Sequence, residues 1–241
     1  MTVTGSFSAP PQVITFDGLL SDFDGTIVDS TDAIVKHWHK IGAELGVDPK
    51  TILETSHGRR SIDTLKLYDP SKANWEFLLP KDVSFIEGVI PKEYGSDAVE
   101  IPGARSILAA LEESGATWGV VTSGTRALID GWLGVLGLTH PKVLVVAEDV
   151  EQGKPDPRCY LLGRKKLGLE HSSSIVVLED APSGIKAGKA AGLTVIALTT
   201  THTLEQLQAA GADVIVEDLR SISVKGVVDG RLQLEVRNAF Q

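Results

Sequence analysis

One cysteine, Cys159, occurs in the 241 residues. That excludes an internal disulfide and a cysteine-built metal site, and it fits a reducing compartment. No apolar stretch approaches the roughly 18 uninterrupted residues of a spanning helix, so no membrane partner is expected. Basic side chains are in deficit, 23 against 32 acidic ones, for a formal charge of -9. A field of that sign repels polyanions, and without a basic stripe no nucleic-acid partner is expected. An anionic substrate must then be small and neutralised locally. The segment Met1 to Gln12 has no basic start followed by an apolar stretch, so no secretion signal is expected, and its Gly, Ser and paired Pro read as a loose leader. The cytoplasm is the expected location, and a monomer the expected state. Neither Gly-x4-Gly-Lys-Ser/Thr nor Gly-x-Ser-x-Gly is present, which disfavours a P-loop kinase and a serine hydrolase.

What the chain does have is a regular alternation. Short apolar runs that end in Asp, Ser, Thr or Glu alternate with helix-period segments, the pattern of a Rossmann-like α/β core. The expected strands are Gly18 to Phe23, Thr117 to Thr122, Val143 to Ala147, Ser174 to Glu179, Thr194 to Leu198 and Asp213 to Val216. Helices are expected over Gly103 to Ser114, Pro157 to Leu167 and Pro182 to Ala191, each followed by a glycine. From Ile222 to Val236 polar and apolar residues alternate around Asp229-Gly230, which predicts a hairpin at the sheet edge. Between Ser30 and Ile101 the alternation stops. That stretch holds helical segments, among them Thr31 to Leu45, and is too long for an ordinary connection. It reads as a helical insertion over residues 30–100, with Ile101-Pro102-Gly103 as the return hinge, so that the core comprises 13–29 and 101–241.

Four strand ends carry polar motifs. Asp22-Phe23-Asp24-Gly25-Thr26 puts two carboxylates two residues apart, on one face of an extended chain, and Gly25 permits a sharp turn that frees amides to face an anion. Thr122-Ser123-Gly124 ends the next strand with hydroxyls and a glycine suited to phosphate oxygens. Lys154 sits at the entrance to a helix, between Gly153 and Pro155. Glu179-Asp180 closes a strongly apolar strand, where carboxylates are costly unless a positive group meets them. Together with Asp22 they offer oxygen ligands to a hard divalent cation, and Mg2+ suits them. Each motif alone fits a solvated turn or a helix cap. In a parallel sheet, however, all four ends open on one edge.

The order of these motifs, DxDGT, strand to Thr-Ser, Lys, then Glu-Asp, resembles the haloacid dehalogenase superfamily of phosphohydrolases over nearly the whole chain. The insertion resembles the small α-helical cap that the first subclass carries after its first strand. More narrowly, Ser56-His57-Gly58-Arg59-Arg60, Ile90-Pro91-Lys92-Glu93-Tyr94-Gly95 and Glu179-Asp180-Ala181-Pro182-Ser183-Gly184 are similar to fungal glycerol-phosphate and 2-deoxyglucose-6-phosphate phosphatases. The resemblance implies that Asp22 is the nucleophile and Asp24 the general acid and base. It places magnesium on Asp22, the Asp24 carbonyl, Asp180 and Glu179, the last directly or through water. Some relatives have a further metal acid where this chain has Ser183 and Gly184. Gly25, Thr122, Ser123, Gly124 and Lys154 would hold the phosphate. From the cap, His57 and Arg60 would contact the rest of a small phosphorylated sugar or polyol, since the core motifs already account for the phosphoryl group. A sugar-phosphate mutase of the same subclass is the alternative, and which sugar or polyol is preferred stays open.

Overall fold

The computed structural model describes residues 5–56, 58–71, 73 and 87–241. Its centre is a six-stranded parallel sheet built from β2 (Gly18–Ser21), β5 (Trp118–Val121), β6 (Leu144–Val145), β7 (Ile175–Glu179), β8 (Thr194–Leu198) and β9 (Val214–Val216). Their spatial order is β6-β5-β2-β7-β8-β9. Every residue of β2, β5 and β7 is buried, as the unbroken apolar runs demand of strands covered on both faces. The covering helices are α5 (Ala104–Glu113), α6 (Arg126–Leu136), α7 (Arg158–Lys166), α8 (Pro182–Ala190) and α9 (Leu204–Ala210). β2 lies at the point where the strand order reverses, flanked by β5 and β7, and there an open α/β sheet forms its crevice. Ser21 pairs with Val120 on one side and Leu178 on the other, so the residues that follow all three strands emerge nearly level.

The hairpin of β10 (Ile222–Val228) and β11 (Arg231–Val236) turns at Asp229 and Gly230, both with positive φ. It does not extend the parallel sheet. It forms a separate three-stranded antiparallel sheet with β1 (Gln12–Phe16), a strand absent from the sequence expectations. Five residues are too few to stand out beside a Gly/Ser/Pro-rich leader, and a long-range partner some 220 positions away supplies the ladder. The described part of that leader is also tied down. Ser6 N donates to the Gln241 carbonyl at 3.1 Å, Ala9 N donates to the Ala239 carbonyl at 3.0 Å, and Phe7 packs edge-on against Phe240.

The insertion contributes α1 (Thr31–Leu45), α2 (Pro49–Ser56), α3 (Ser61–Tyr68) and the short α4 (Ile90–Glu93). Trp38, Ile41, Ile52, Ile62 and Leu65 bury one another in a small core of its own. Its two stems are zipped as an antiparallel pair, β3 (Val28–Asp29) with β4 (Val99–Glu100), where only a hinge was expected. Among the described residues no helix is long and apolar enough to cross a membrane.

Candidate active site

Asp22 follows β2 directly, and its backbone N–H donates to Leu178 of β7 at 2.9 Å, which fixes the level of its side chain. At Gly25, with φ of +81°, the chain turns, and a Cβ there would collide with the Asp180 carboxylate, so only glycine fits. Asp24 accepts a hydrogen bond from Ser30 Oγ at 2.6 Å. Burial pushes its carboxyl up to about 6, against the Ser30 hydrogen bond, with Glu87 adding to the rise. Thr122, one residue beyond β5, is buried and its Oγ1 accepts from Gly124 N at 2.9 Å. Asp22, Asp24, Gly25, Thr122, Ser123, Gly124 and Asp180 all line one cavity.

Beneath it lies a buried charge cluster. Carboxylate oxygens of Asp22, Glu179 and Asp180 lie within 4.8 Å of one another. Lys154 Nζ sits 2.7 Å from Asp22 Oδ1 and 2.7 Å from Glu179 Oε1, and donates to the Val121 carbonyl at 3.1 Å. Burial pulls the Lys154 ammonium down, but Asp22 and Glu179 outweigh it and hold its pKa above the ordinary value. Burial also drives Asp22 well above the usual carboxylate range, and Glu179 and Asp180 push the same way while Lys154 opposes them. Asp180 rises to about 7, from burial first and Glu179 second. One ammonium does not neutralise three buried carboxylates, so the donor set suits a hard divalent cation.

The three carboxylates are not equivalent. Glu179 Oε1 accepts from Lys154 and from the Tyr160 hydroxyl at 2.9 Å, and Oε2 accepts from the backbone N–H groups of Asp180 and Ala181 at 2.9 and 3.0 Å. Four donors saturate it, so a metal contact through water disturbs less than direct ligation. Asp180 is oriented by Thr26 Oγ1 at 3.0 Å and by the hydroxyl of Thr201, in the turn beyond β8. These two threonines, Ser30 and Tyr160 escaped the motif reading, although Thr26 stands inside DGT and Thr201 ends the run Thr199-Thr200-Thr201 that follows β8.

The insertion forms the other wall. Gly58, with φ of +69°, approaches the core so closely that a Cβ would lie 2.9 Å from Ala181 Cβ and 2.6 Å from Ser183 Oγ. Its carbonyl accepts from Ser123 Oγ at 3.2 Å and from Ser183 Oγ at 3.1 Å, so the Ser123 hydroxyl, on the cavity lining, is also tied to the insertion. Arg60 also departs from expectation: it does not line the cavity. It is 2 % exposed, and its guanidinium reaches the carbonyls of Ala147, Val150 and Glu151 at 3.2, 2.6 and 3.0 Å and both oxygens of Asp63. Every donor direction is used, so Arg60 fastens the insertion to the core. Among the described residues the arginine on the cavity is the exposed Arg59. His57 lies outside the described residues. Lys154, buried under Asp22, is likewise not on the cavity surface. Glu87, which no motif flagged, is: it is 5 % exposed and lines the cavity beside Ser56 and Ser61.

The profile of the Haloacid dehalogenase-like hydrolase family matches residues 19–198. Glycerol-1-phosphate phosphohydrolase 2 of Saccharomyces cerevisiae is 39 % identical over 224 residues, 90 % of this chain and 88 % of that protein. 2-Deoxyglucose-6-phosphate phosphatase 1 of the same yeast is 36 % identical over 92 % of this chain and 96 % of its own length. Hexitol phosphatase A of Escherichia coli is 34 % identical over 86 % of this chain and 93 % of its own. Among solved structures, a hydrolase from Pseudomonas syringae superposes with a TM-score of 0.71 at 23 % identity, covering 84 % of this chain and 94 % of that one. A β-phosphoglucomutase from Clostridium difficile shares the fold at a TM-score of 0.65 and 19 % identity, over 85 % and 92 % of the two chains. With the profile spanning three quarters of its length and curated relatives covering nearly all of it, the chain belongs to the haloacid dehalogenase-like hydrolases.

Proposed function

We propose that this phosphoric monoester hydrolase acts on phosphate esters of small polyols or sugars, by way of a phosphoryl group carried on Asp22. The observation that carries this reading is the pairing of Asp22 with Asp24 on one cavity wall. Asp22 is gripped by the Lys154 ammonium at 2.7 Å, whereas Asp24 is oriented by the neutral Ser30 hydroxyl at 2.6 Å, with burial raising its pKa to about 6. Two carboxyls in different environments take different roles. Asp22 attacks phosphorus in line with the departing oxygen. Asp24, in its protonated form, hands its proton to that oxygen and then takes one from the water that cleaves the acyl phosphate. Thr122 and the turn at Gly25 face the phosphate oxygens. Lys154 fixes the attacking carboxylate through Asp22 Oδ1. Asp22, Asp180 and the Asp24 carbonyl would hold a divalent cation, expected to be magnesium, with Glu179 behind them. That cation supplies charge neutralisation of the phosphoryl oxygens and of the carboxylate cluster.

The helical insertion is then a cap that closes over the site and keeps water out. The cytoplasm is the proposed location. The curated relatives named above are phosphatases, which favours hydrolysis over the mutase alternative, a fold the two activities share. The decisive experiment is phosphate release from a panel of polyol and sugar phosphates with magnesium present, alongside chromatography of the organic product. Isomerised sugar phosphate in place of free phosphate would establish the mutase.

A further inference from the structure

Catalysis occupies the core wall of the cavity; the insertion wall holds a second set of polar groups that it does not use. Glu87 precedes α4 and is buried, yet it lines the cavity. Its Oε1 accepts from the Ser61 hydroxyl, and its Oε2 accepts from Thr125 N at 2.8 Å, at the start of α6. Each carboxylate oxygen takes two hydrogen bonds, so one acceptor site remains on each. Both partners are neutral, and among the described residues no lysine or arginine pairs with Glu87. Ser56 lines the same wall, is 7 % exposed, and its Oγ has no hydrogen-bond partner among the described residues. A buried hydroxyl without a partner is uncommon, and a ligand hydroxyl is a natural complement. Trp38, Ile34 and Leu128 add apolar surface beside these groups, suited to C–H faces.

We propose that Glu87 and Ser56 form a hydroxyl-recognition subsite that selects phosphate esters of uncharged polyhydroxy compounds and rejects esters that carry a second anionic group. This deepens, and rests on, the phosphatase reading given above. The carboxylate accepts from one or two hydroxyls of the leaving group, and Ser56 pairs with another. A carboxylate or second phosphate placed there meets Glu87 at close range, with no lysine or arginine paired to that carboxylate among the described residues, and loses the donors the subsite needs. Glu87 and Asp24 line the same cavity, so a phosphate ester held at the core wall presents its leaving group to Glu87. Among the described residues Arg59 is the one arginine on the cavity lining, and it is exposed to solvent, where its charge is screened.

The test compares kcat/KM for glycerol phosphate, phosphoglycolate and nitrophenyl phosphate in the wild type, Glu87→Gln and Ser56→Ala. The wild type should prefer glycerol phosphate to phosphoglycolate by at least tenfold. Glu87→Gln should reduce that ratio at least tenfold, partly through a rise for phosphoglycolate. Ser56→Ala removes no hydrogen bond among the described residues, so its fold should persist; it should lower the glycerol phosphate value about 3–10-fold relative to nitrophenyl phosphate, the worth of one neutral hydrogen bond. Equal losses on all three substrates in both variants would show that these residues only support the wall, and a wild type that favours phosphoglycolate would assign the subsite to Arg59; either overturns the proposal while leaving the phosphatase reading intact. If nitrophenyl phosphate is hydrolysed but no polyol or sugar phosphate is, both fall.

Discussion

The guanidinium of Arg60 donates to the backbone carbonyl of Val150 at 2.6 Å, and so joins the insertion to the loop that leads into Lys154. Ala147 and Glu151 carbonyls complete the grip. The side chain expected to read the substrate is therefore a fastener between two parts of the fold.

Arg60→Ala should consequently lower kcat/KM by a similar factor for polyol phosphates and for a small aryl phosphate, and should destabilise the protein by about 1–3 kcal/mol through the loss of charged hydrogen bonds and the carbonyls left unpaired. Chemical denaturation and paired kinetics measure both. A loss confined to the polyol esters would return Arg60 to the substrate.

Gly58→Ala attacks the same closure from the other side. The left-handed backbone costs a Cβ-bearing residue about 1–2 kcal/mol, and the new methyl meets Ala181 and Ser183 at the contact itself. We expect a raised KM for every substrate. Wild-type kinetics in this variant would show that the insertion does not need that approach.

Asp22→Asn should abolish covalent phosphorylation, whereas Asp24→Asn should slow turnover about 10²–10⁴-fold and let the acyl phosphate accumulate. Acid-quenched labelling distinguishes the two. With Asp24 titrating near 6, its proton-donating form is lost as pH rises through that value, so protonation of a poor alkoxide leaving group should weaken above about pH 6. An aryl phosphate, whose leaving group needs less help, should show a flatter profile. Robust turnover by Asp22→Asn would end the assignment.

Chelation should expose the repulsion among Asp22, Glu179 and Asp180. Asp24 and Asp180 have folded pKa values of about 6 and 7, above the ordinary 3.8. A raised carboxyl favours the folded state fully at pH below its unfolded value, and that contribution is lost as pH rises through the folded one. The chelated protein should therefore lose stability between about pH 4 and pH 7, and magnesium should restore it at the upper end by taking the place of the protons. Calcium, which prefers more ligands at longer distances, should stabilise while supporting little turnover. Thermal melts across pH with and without each ion test this, and full activity after exhaustive chelation would rule out the metal.

The sequence by itself determined the core wall of the cavity. Apolar runs such as Ile175 to Leu178 can only be strands buried on both faces, parallel strands open their carboxyl ends on one edge, and so Asp22, Thr122 and Asp180 had to meet once Ser21, Val120 and Leu178 came into register. Tertiary structure decided the opposite wall. Arg59 and Arg60 are adjacent in a loop with no period to fix which faces inward, and the choice falls to carbonyls near 150 that are in place only after β6 has joined the sheet. Glu87 reaches the cavity because Ser61 and Thr125, 26 and 38 positions away, hold its two oxygens. Strand β1 likewise exists because β11, from the far end of the chain, offers it a ladder. Local pattern fixes a side chain where backbone periodicity aims it; where a loop side chain is aimed by partners distant in sequence, only the folded chain specifies the direction.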